Sequence, residues 1–335
     1  MTVLDTANAA SLMDRFGRVH TDLRVSITDR CSLSCSYCVP PGGLPLMPVG
    51  TLLTVEEIER LVRIAVGMGV TKVRITGGEP LVRADVVNIV SRLAQLAPRP
   101  ELCLTTNGVG LSRLARPLED AGLNRVNISL DTLDALAYLR LTGLDRLGDV
   151  LAGIEEAMRR DFTQVKLNAV ALKGLTEEAG PALLEYALAR GLELRFIEQM
   201  PLGGGQWHSS NIMTADDLLS LLSQHHELTP IPRCDSMPAT RYLVDSGPGI
   251  VGVIPSVTRP FCGDCSRVRL TSDGQIRACL FSDDAQDVRG LVRSGADDAQ
   301  IENALRQAIW AKRPGHTIGS QSFQPPSRIM KAIGG

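Results

Sequence analysis

Eight cysteines punctuate this 335-residue chain, and six of them fall into two groups of three: Cys31, Cys35 and Cys38, then Cys262, Cys265 and Cys279. In the first group the spacing Cys-x3-Cys-x2-Cys brings three thiolates onto one short loop, close enough to grip a compact metal centre. Tetrahedral zinc wants four ligands, and no cysteine or histidine follows Cys38 at a useful spacing. A four-iron, four-sulfur cubane held by three cysteines leaves one iron open. An odd-numbered cluster suits metal better than disulfides, which are expected in small secreted chains.

The second group, Cys262-x2-Cys265-x13-Cys279, again offers only three thiolates. A zinc knuckle borrowing His20, His208, His225, His226 or His316 stays open there beside a second cubane. Cys103 alternates inside a strand-like run and reads as a small buried hydrophobe, while Cys234, near Pro232 and Pro238, reads as a loop residue. An open iron can chelate the amino and carboxylate groups of S-adenosylmethionine and pass an electron to its sulfonium, which splits to a 5'-deoxyadenosyl radical.

The elements that must position these loops are legible from hydrophobic periodicity. Strands are expected at Leu23–Thr28, Lys72–Thr76, Glu101–Thr105, Arg125–Leu130, Gln164–Ala171 and Glu193–Glu198. Between them lie helical stretches near Val55–Met68, Asp85–Leu96, Leu111–Ala121, Gly148–Arg160 and Thr176–Arg190, with Thr54 and Glu57 forming a capping box. Repeated strand-helix units imply an α/β fold with a parallel sheet curved as an incomplete barrel, an open doubly wound sheet being the alternative. Barrels of this kind carry their chemistry on loops after the strand C-termini. Cys31–Cys38, Gly77-Gly78-Glu79-Pro80, Thr106-Asn107-Gly108 and Asp131 all fall on such loops. Past Met200 the repeat dissolves into Gly203-Gly204-Gly205, a helix near Ala215–Leu222 and two strands, Thr240–Val244 and Ile250–Ile254. The division expected is an N-terminal extension over 1–20, the barrel over 21–205 and a smaller C-terminal region over 206–335.

Arg24, Lys72, Arg74, Lys166 and Arg195 sit on the strands where alternation would aim them inward, and Arg267 and Arg269 sit beside the second cysteine group. Cations inside a barrel are costly unless paired, by a triphosphate or by carboxylates such as Glu79, Glu193 and Glu198. Overall charge argues against a nucleic-acid binder, with 35 basic side chains against 37 acidic. No apolar run nears the roughly 18 residues of a membrane span, and no secretory signal opens the chain, so a cytoplasmic location is expected.

Asp22–Cys31, Lys72–Pro80, Val126–Asp131, Phe261–Leu280 and the terminal Gly334-Gly335 together make a distinctive set. With Tyr37 in the first cysteine loop, the chain resembles the radical S-adenosylmethionine superfamily and, within it, the GTP 3',8-cyclase family of molybdenum cofactor biosynthesis, from about Phe16 onward. Val39 and Gln199 depart from the usual family residues, neither at a ligand position.

The resemblance implies a partial (βα)6 TIM-type barrel followed by a smaller region carrying a second cluster. It implies a lyase converting GTP to 3',8-cyclo-7,8-dihydro-GTP, with two 4Fe-4S clusters and S-adenosylmethionine. It assigns the metals to Cys31, Cys35, Cys38, Cys262, Cys265 and Cys279, and S-adenosylmethionine to Tyr37, Gly78, Ser129 and Met200. It assigns GTP to Arg24, Lys72, Arg74, Thr105, Lys166, Arg195, Arg267, Val268 and Arg269. Arg267, Arg269, Gly334 and Gly335 become catalytic, although a terminal Gly-Gly is also what a frayed end looks like. Partners implied are an external electron donor, flavodoxin-like, ferredoxin-like or a chemical reductant, the cyclic pyranopterin monophosphate synthase that takes the product, and a second copy in a homodimer. Another anionic substrate for the same radical chemistry, or a zinc-stabilised binding module, are the competing readings.

Overall fold

The fold is described from a computed structural model over residues 11–40, 42–43, 45–202, 207, 212–232, 237–320 and 323–334. Cys234, Gly203-Gly204-Gly205, His208 and Gly335 lie outside the described residues.

The chain begins with strand-helix alternation: β1 (Asp22–Ser26), α1 (Val55–Gly67), β2 (Lys72–Thr76), α2 (Val86–Ala94), β3 (Glu101–Thr106), α3 (Leu111–Asp120) and β4 (Arg125–Ser129). It continues through α4 (Ala135–Thr142), α5 (Leu147–Met158), β5 (Gln164–Ala171), α6 (Thr176–Leu188) and β6 (Glu193–Glu198). The expected strands and helices are present within two residues or so at each end. Thr54 accepts a hydrogen bond from the Glu57 N–H (3.2 Å) while the Glu57 carboxylate accepts one from the Thr54 N–H (2.9 Å), which closes the capping box at α1.

Beyond β6 come α7 (Ala215–Leu222), β7 (Leu228–Ile231), β8 (Thr240–Val244), β9 (Ile250–Ile254), β10 (Arg267–Leu270), β11 (Gln275–Arg277) and β12 (Gln286–Asp287). Three helices follow: α8 (Val288–Arg293), α9 (Asp298–Trp310) and α10 (Met330–Ile333). The twelve strands of the described residues join one sheet in the order β12-β11-β10-β1-β2-β3-β4-β5-β6-β9-β8-β7. From β10 through β9 the pairing is parallel, and antiparallel strands flank it on both sides.

The strictly sequential order of β1 to β6 decides between barrel and doubly wound sheet. With right-handed crossovers, sequential strands put every helix on the same face, whereas a doubly wound sheet reverses its order midway. Val73, Ile75, Leu102, Leu104, Val126, Ile128, Leu167, Leu194 and Phe196 are fully buried towards those helices. The alternate residues, which parallel register keeps in rows, face the hollow of the curved sheet. Strands from both parts of the chain share the sheet: the C-terminal stretch adds β9 to one end of the six strands and β10 to the other. Residues 255–266 link those two ends across the open side, and they carry Cys262 and Cys265. Among the described residues no helix is long and apolar enough to cross a membrane.

Candidate active site

The first cysteine loop leaves β1 and is hung on α4, whose carbonyls Thr142 and Leu141 accept the Ser34 and Ser36 N–H groups, both at 3.0 Å. Cys31, Cys35 and Cys38 are free and half-buried. The Leu33 N–H (3.5 Å) and Asn107 Nδ2 (3.7 Å) approach the Cys31 sulfur. Gly77 and Gly78 bring the β2 loop against this chain. A Cβ on Gly78 would sit 2.4 Å from the Arg30 carbonyl oxygen, so the space the glycine leaves is filled by the backbone entering the cysteine loop. Glu79 anchors the same loop by accepting from Thr106 Oγ1 (2.7 Å), the Asn107 N–H (2.6 Å) and the Leu81 N–H (2.9 Å). Burial raises its carboxyl to about 7 against those bonds.

Tyr37 donates its hydroxyl to Asp131 (2.9 Å), which also takes the Val170 N–H (2.7 Å). Burial lifts Asp131 to about 6. Burial, then the Asp131 carboxylate and the neighbouring thiolates, pushes Cys35 well up, and burial with the Cys31 thiolate pushes Cys38 to about 11.

The second group is assembled from two segments. Cys262 and Cys265 lie on the linking loop and Cys279 follows β11, and all three line the same cavity. Burial opposes ionisation of Cys265, but Arg267 and Lys312 outweigh it and hold the thiol at about 7. Of the histidines that could complete a zinc knuckle, the two described ones that meet this region are engaged elsewhere. His316 Nε2 lies 2.9 Å from the Ser256 carbonyl and its Nδ1 accepts the Ile318 N–H, while His20 Nε2 meets Lys312 at 2.8 Å.

Among the described residues no group of three Cys, His, Asp or Glu side chains is arranged to hold a single metal ion. A cubane asks for a different layout, three sulfurs each facing its own iron. Both groups present free thiols, and burial holds Cys31, Cys35, Cys38 and Cys262 protonated, which a cationic cluster core would reverse, while Cys265 is already drawn towards the thiolate by Arg267 and Lys312. The residues present therefore fit iron-sulfur clusters.

Both groups open onto one cavity of about 430 Å³, through Cys38 on one side and Cys262, Cys265 and Cys279 on the other. Parallel register lays inward side chains across its floor: Arg269 pairs with Arg24, Arg24 with Arg74, and Arg74 with Cys103. Another row runs Thr105, Asn127, Lys166, Glu193.

Of the residues picked out from sequence, Arg24, Lys72, Arg74, Thr105, Lys166, Arg195, Arg267, Arg269, Tyr37, Ser129 and Met200 line this cavity. Gly78 lies outside the lining. Val268 turns its side chain into the core and is 1% exposed, leaving only its backbone to meet a ligand. Cys103 is buried as a small hydrophobe. Asn127 and Asn168 also line the cavity and went unremarked in the sequence, though they share the strand parity of Ser129 and Lys166.

The basic set divides in two. Glu193 pairs with Lys166 (2.8 Å) and Arg195 (2.6 Å), and Lys72 has Glu101 at 3.3 Å, so internal carboxylates neutralise part of it. Glu79 and Glu198 do not join; Glu198 accepts from the Ala215, Val257 and Thr258 N–H groups instead. Arg24, Arg74, Arg267 and Arg269 form no ion pair among the described residues. Arg24 Nε, Arg74 Nη1 and Arg267 Nη2 are buried without any hydrogen-bond partner. Burial and then the neighbouring Arg269 and Arg267 hold Arg24 well below its usual range, and burial with Arg267 holds Arg269 at about 10. The chain's tail enters here. Arg269 donates to the Gly334 carbonyl, Met330 lines the cavity, and the Lys331 backbone hydrogen-bonds to Cys38.

Residues 25–187 match the Radical SAM superfamily and residues 192–318 the family described as Molybdenum Cofactor Synthesis C. The chain is 51% identical over 333 residues to the GTP 3',8-cyclase of Mycolicibacterium smegmatis, covering 97% of this chain and 92% of that one. It belongs to the GTP 3',8-cyclase family. The family enzyme of Streptomyces coelicolor is 50% identical over 328 residues, covering 97% and 96% of the two chains. Among solved structures, Streptococcus suis SuiB bound to S-adenosylmethionine matches with a TM-score of 0.59 at 16% identity, over 87% of this chain and 69% of that one. That likeness speaks for the fold alone. The radical SAM match carries with it a 4Fe-4S cluster and S-adenosylmethionine as the working cofactors of a GTP 3',8-cyclase family member.

Proposed function

We propose that this chain converts GTP to 3',8-cyclo-7,8-dihydro-GTP, the first step of molybdenum cofactor biosynthesis, with one iron-sulfur cluster on Cys31, Cys35 and Cys38 and a second on Cys262, Cys265 and Cys279. One observation carries the reading: both cysteine groups open onto a single cavity whose floor holds arginines that, among the described residues, form no ion pair and leave N–H groups without a partner. When bound, the first cluster and S-adenosylmethionine supply the 5'-deoxyadenosyl radical that removes the ribose 3' hydrogen.

The protein's own part is to bind, orient and exclude water. Arg24, Arg74, Arg267 and Arg269 offer phosphate oxygens the counter-charge that the protein withholds from them, and their planar forks suit bidentate contact. Lys166 and Arg195, already tethered to Glu193, present a fixed edge instead of a free charge. Thr105 supplies a hydroxyl on the same side. Tyr37, locked by Asp131, lines the cavity with Ser129, Met200 and Cys38, and Tyr37, Ser129 and Met200 are assigned to S-adenosylmethionine together with the Gly78 loop. Arg267 and Arg269 lie on β10, two and four residues past Cys265, with Arg269 in register beside Arg24 on the floor, and both are assigned to substrate binding and catalysis. Gly334 fits its place because a Cβ there would lie 2.7 Å from Ser26 Cβ, at a φ of +90°. An external one-electron donor, flavodoxin-like, ferredoxin-like or chemical, completes the cycle, and the product passes to the cyclic pyranopterin monophosphate synthase. A homodimer belongs to the same proposal and is tested by light scattering.

Anaerobic reconstitution should load about eight irons per chain for two cubanes. Incubation with reductant, S-adenosylmethionine and GTP should then yield 5'-deoxyadenosine and the cyclised nucleotide together. A colourless zinc protein, or 5'-deoxyadenosine formation indifferent to GTP, would rule the proposal out.

A further inference from the structure

Behind the second cysteine group lies a buried polar cluster that the proposed reaction does not use. Residues 11–20 pack against the linking loop. Arg18 donates from Nη1 to the carbonyls of Cys262 (2.7 Å) and Pro314 (2.8 Å), from Nη2 to that of Arg313 (2.6 Å), and from Nε to Asp14 (2.6 Å). His20 is wholly buried, with Nδ1 3.3 Å from the Leu12 carbonyl and Nε2 2.8 Å from Lys312 Nζ. A ring that donates from Nδ1 to a carbonyl keeps a lone pair on Nε2, so His20 accepts from the ammonium.

Lys312 is 4% exposed, and among the described residues it has no carboxylate partner; the nearby Asp14 is engaged by Arg18. Its three N–H groups are accounted for: one to His20, one to the Arg267 carbonyl (2.8 Å), and one towards the carbonyl and sulfur of Cys265, each at 3.4 Å. A lysine serving only the C-terminal end of α9 would turn its charge to that helix's last carbonyls. This one keeps its backbone N–H on Ile309 (3.0 Å) but sends the ammonium across to the cysteine loop and β10. Among the described residues the neighbour in hydrogen-bond reach that can balance this buried cation is the thiolate of Cys265, with Cys279 adding to it from further off.

We propose that Lys312 is the positioning residue of the second iron-sulfur site: aimed by His20, its ammonium neutralises the Cys265 sulfur and pins the Arg267 carbonyl. Ligand charge and the departure of Arg267 into the cavity are thereby set by one group. The proposal rests on the reading that Cys262, Cys265 and Cys279 hold a cluster. Hydrogen bonds to ligand sulfurs and local charge set cluster potentials, and outer contacts of this kind orient the ligands.

The test uses the full-length chain with Cys31, Cys35 and Cys38 replaced by alanine, so that one cluster remains and its midpoint potential can be followed by electron paramagnetic resonance. Lys312→Met should keep about four irons and become harder to reduce, because a cation that favoured the added electron is gone. The expected change is at least tenfold in the reduction equilibrium, about 59 mV for one electron. Lys312→Arg should restore most of the potential. An unchanged potential in Lys312→Met at full iron content overturns the proposal. If that variant loses iron or fails to fold, Lys312→Gln against Lys312→Arg decides: a lower potential in the neutral variant alone supports it, and equal potentials sink it. Chain without the alanine replacements that loads only about four irons would remove the two-cluster reading, and this inference with it.

Discussion

Arg24 and Arg74 face each other across β1 and β2, and among the described residues neither forms an ion pair; Asp22 offsets part of the Arg24 charge, and the remainder is a cost to the fold that a bound anion would offset. Arg24→Met should therefore stabilise the cluster-free protein by about 1 kcal/mol, since an apolar replacement often improves on an unpaired buried charge. The same change should weaken GTP binding by roughly ten- to a hundredfold, the range for a lost hydrogen bond to a charged group. Thermal unfolding and equilibrium binding on one variant check both signs, and lower stability with intact affinity would contradict the assignment. His20 makes a pH prediction of opposite sense. Burial, then Lys312, depress it from 6.5 to about 4. A histidine lowered in the folded state contributes stability above its unfolded pKa, lost as pH falls from about 6.5 towards 4. Over that window the protein should lose on the order of 3 kcal/mol on this account, and His20→Gln should flatten the denaturation profile there. The sequence offered His20 only as a spare zinc ligand, and its pairing with Lys312 was not legible because the two lie 292 residues apart.

At the scale of elements, the strands and their inward residues were legible because a period of two is short and repeated six times. The loop after β2 was legible as a motif, but its glycines answer to the chain packed on them. Gly78→Ala should force the Arg30 carbonyl aside at a cost of about 1–3 kcal/mol, and iron content should drop from about eight to about four as the first loop loses its shape. Iron analysis of the purified variant reads this directly, and full loading would argue that the loop yields easily. Helix α4 was missed, since eight residues between a strand and the next helix read as a longer loop, yet it carries the cysteine loop on its last carbonyls. The tail is a third such element. Deleting residues 334 and 335 should leave iron content and thermal stability within error, while turnover falls at least a hundredfold, about 2.7 kcal/mol of barrier.

For the whole molecule, sequence patterns suggested a barrel followed by an appended region, and the pairing of β10 on β1 and of β9 on β6 joins them in one sheet. That pairing was not readable because β10 and β11 are four and three residues long, too short for periodicity to speak. The two stretches that match different families should then unfold together: far-ultraviolet and near-ultraviolet circular dichroism of the cluster-free chain should share one transition midpoint, and two separated midpoints would count against a shared core. The same pairing bears on how the chain comes into being. Synthesis completes β1 early, but the neighbour that covers its outer edge is made only after β9, so a bare strand edge waits through most of translation. Newly made chains that stall before residue 267 should be the ones that aggregate, and a chaperone that shields strand edges should matter more to this protein's yield than to its final stability.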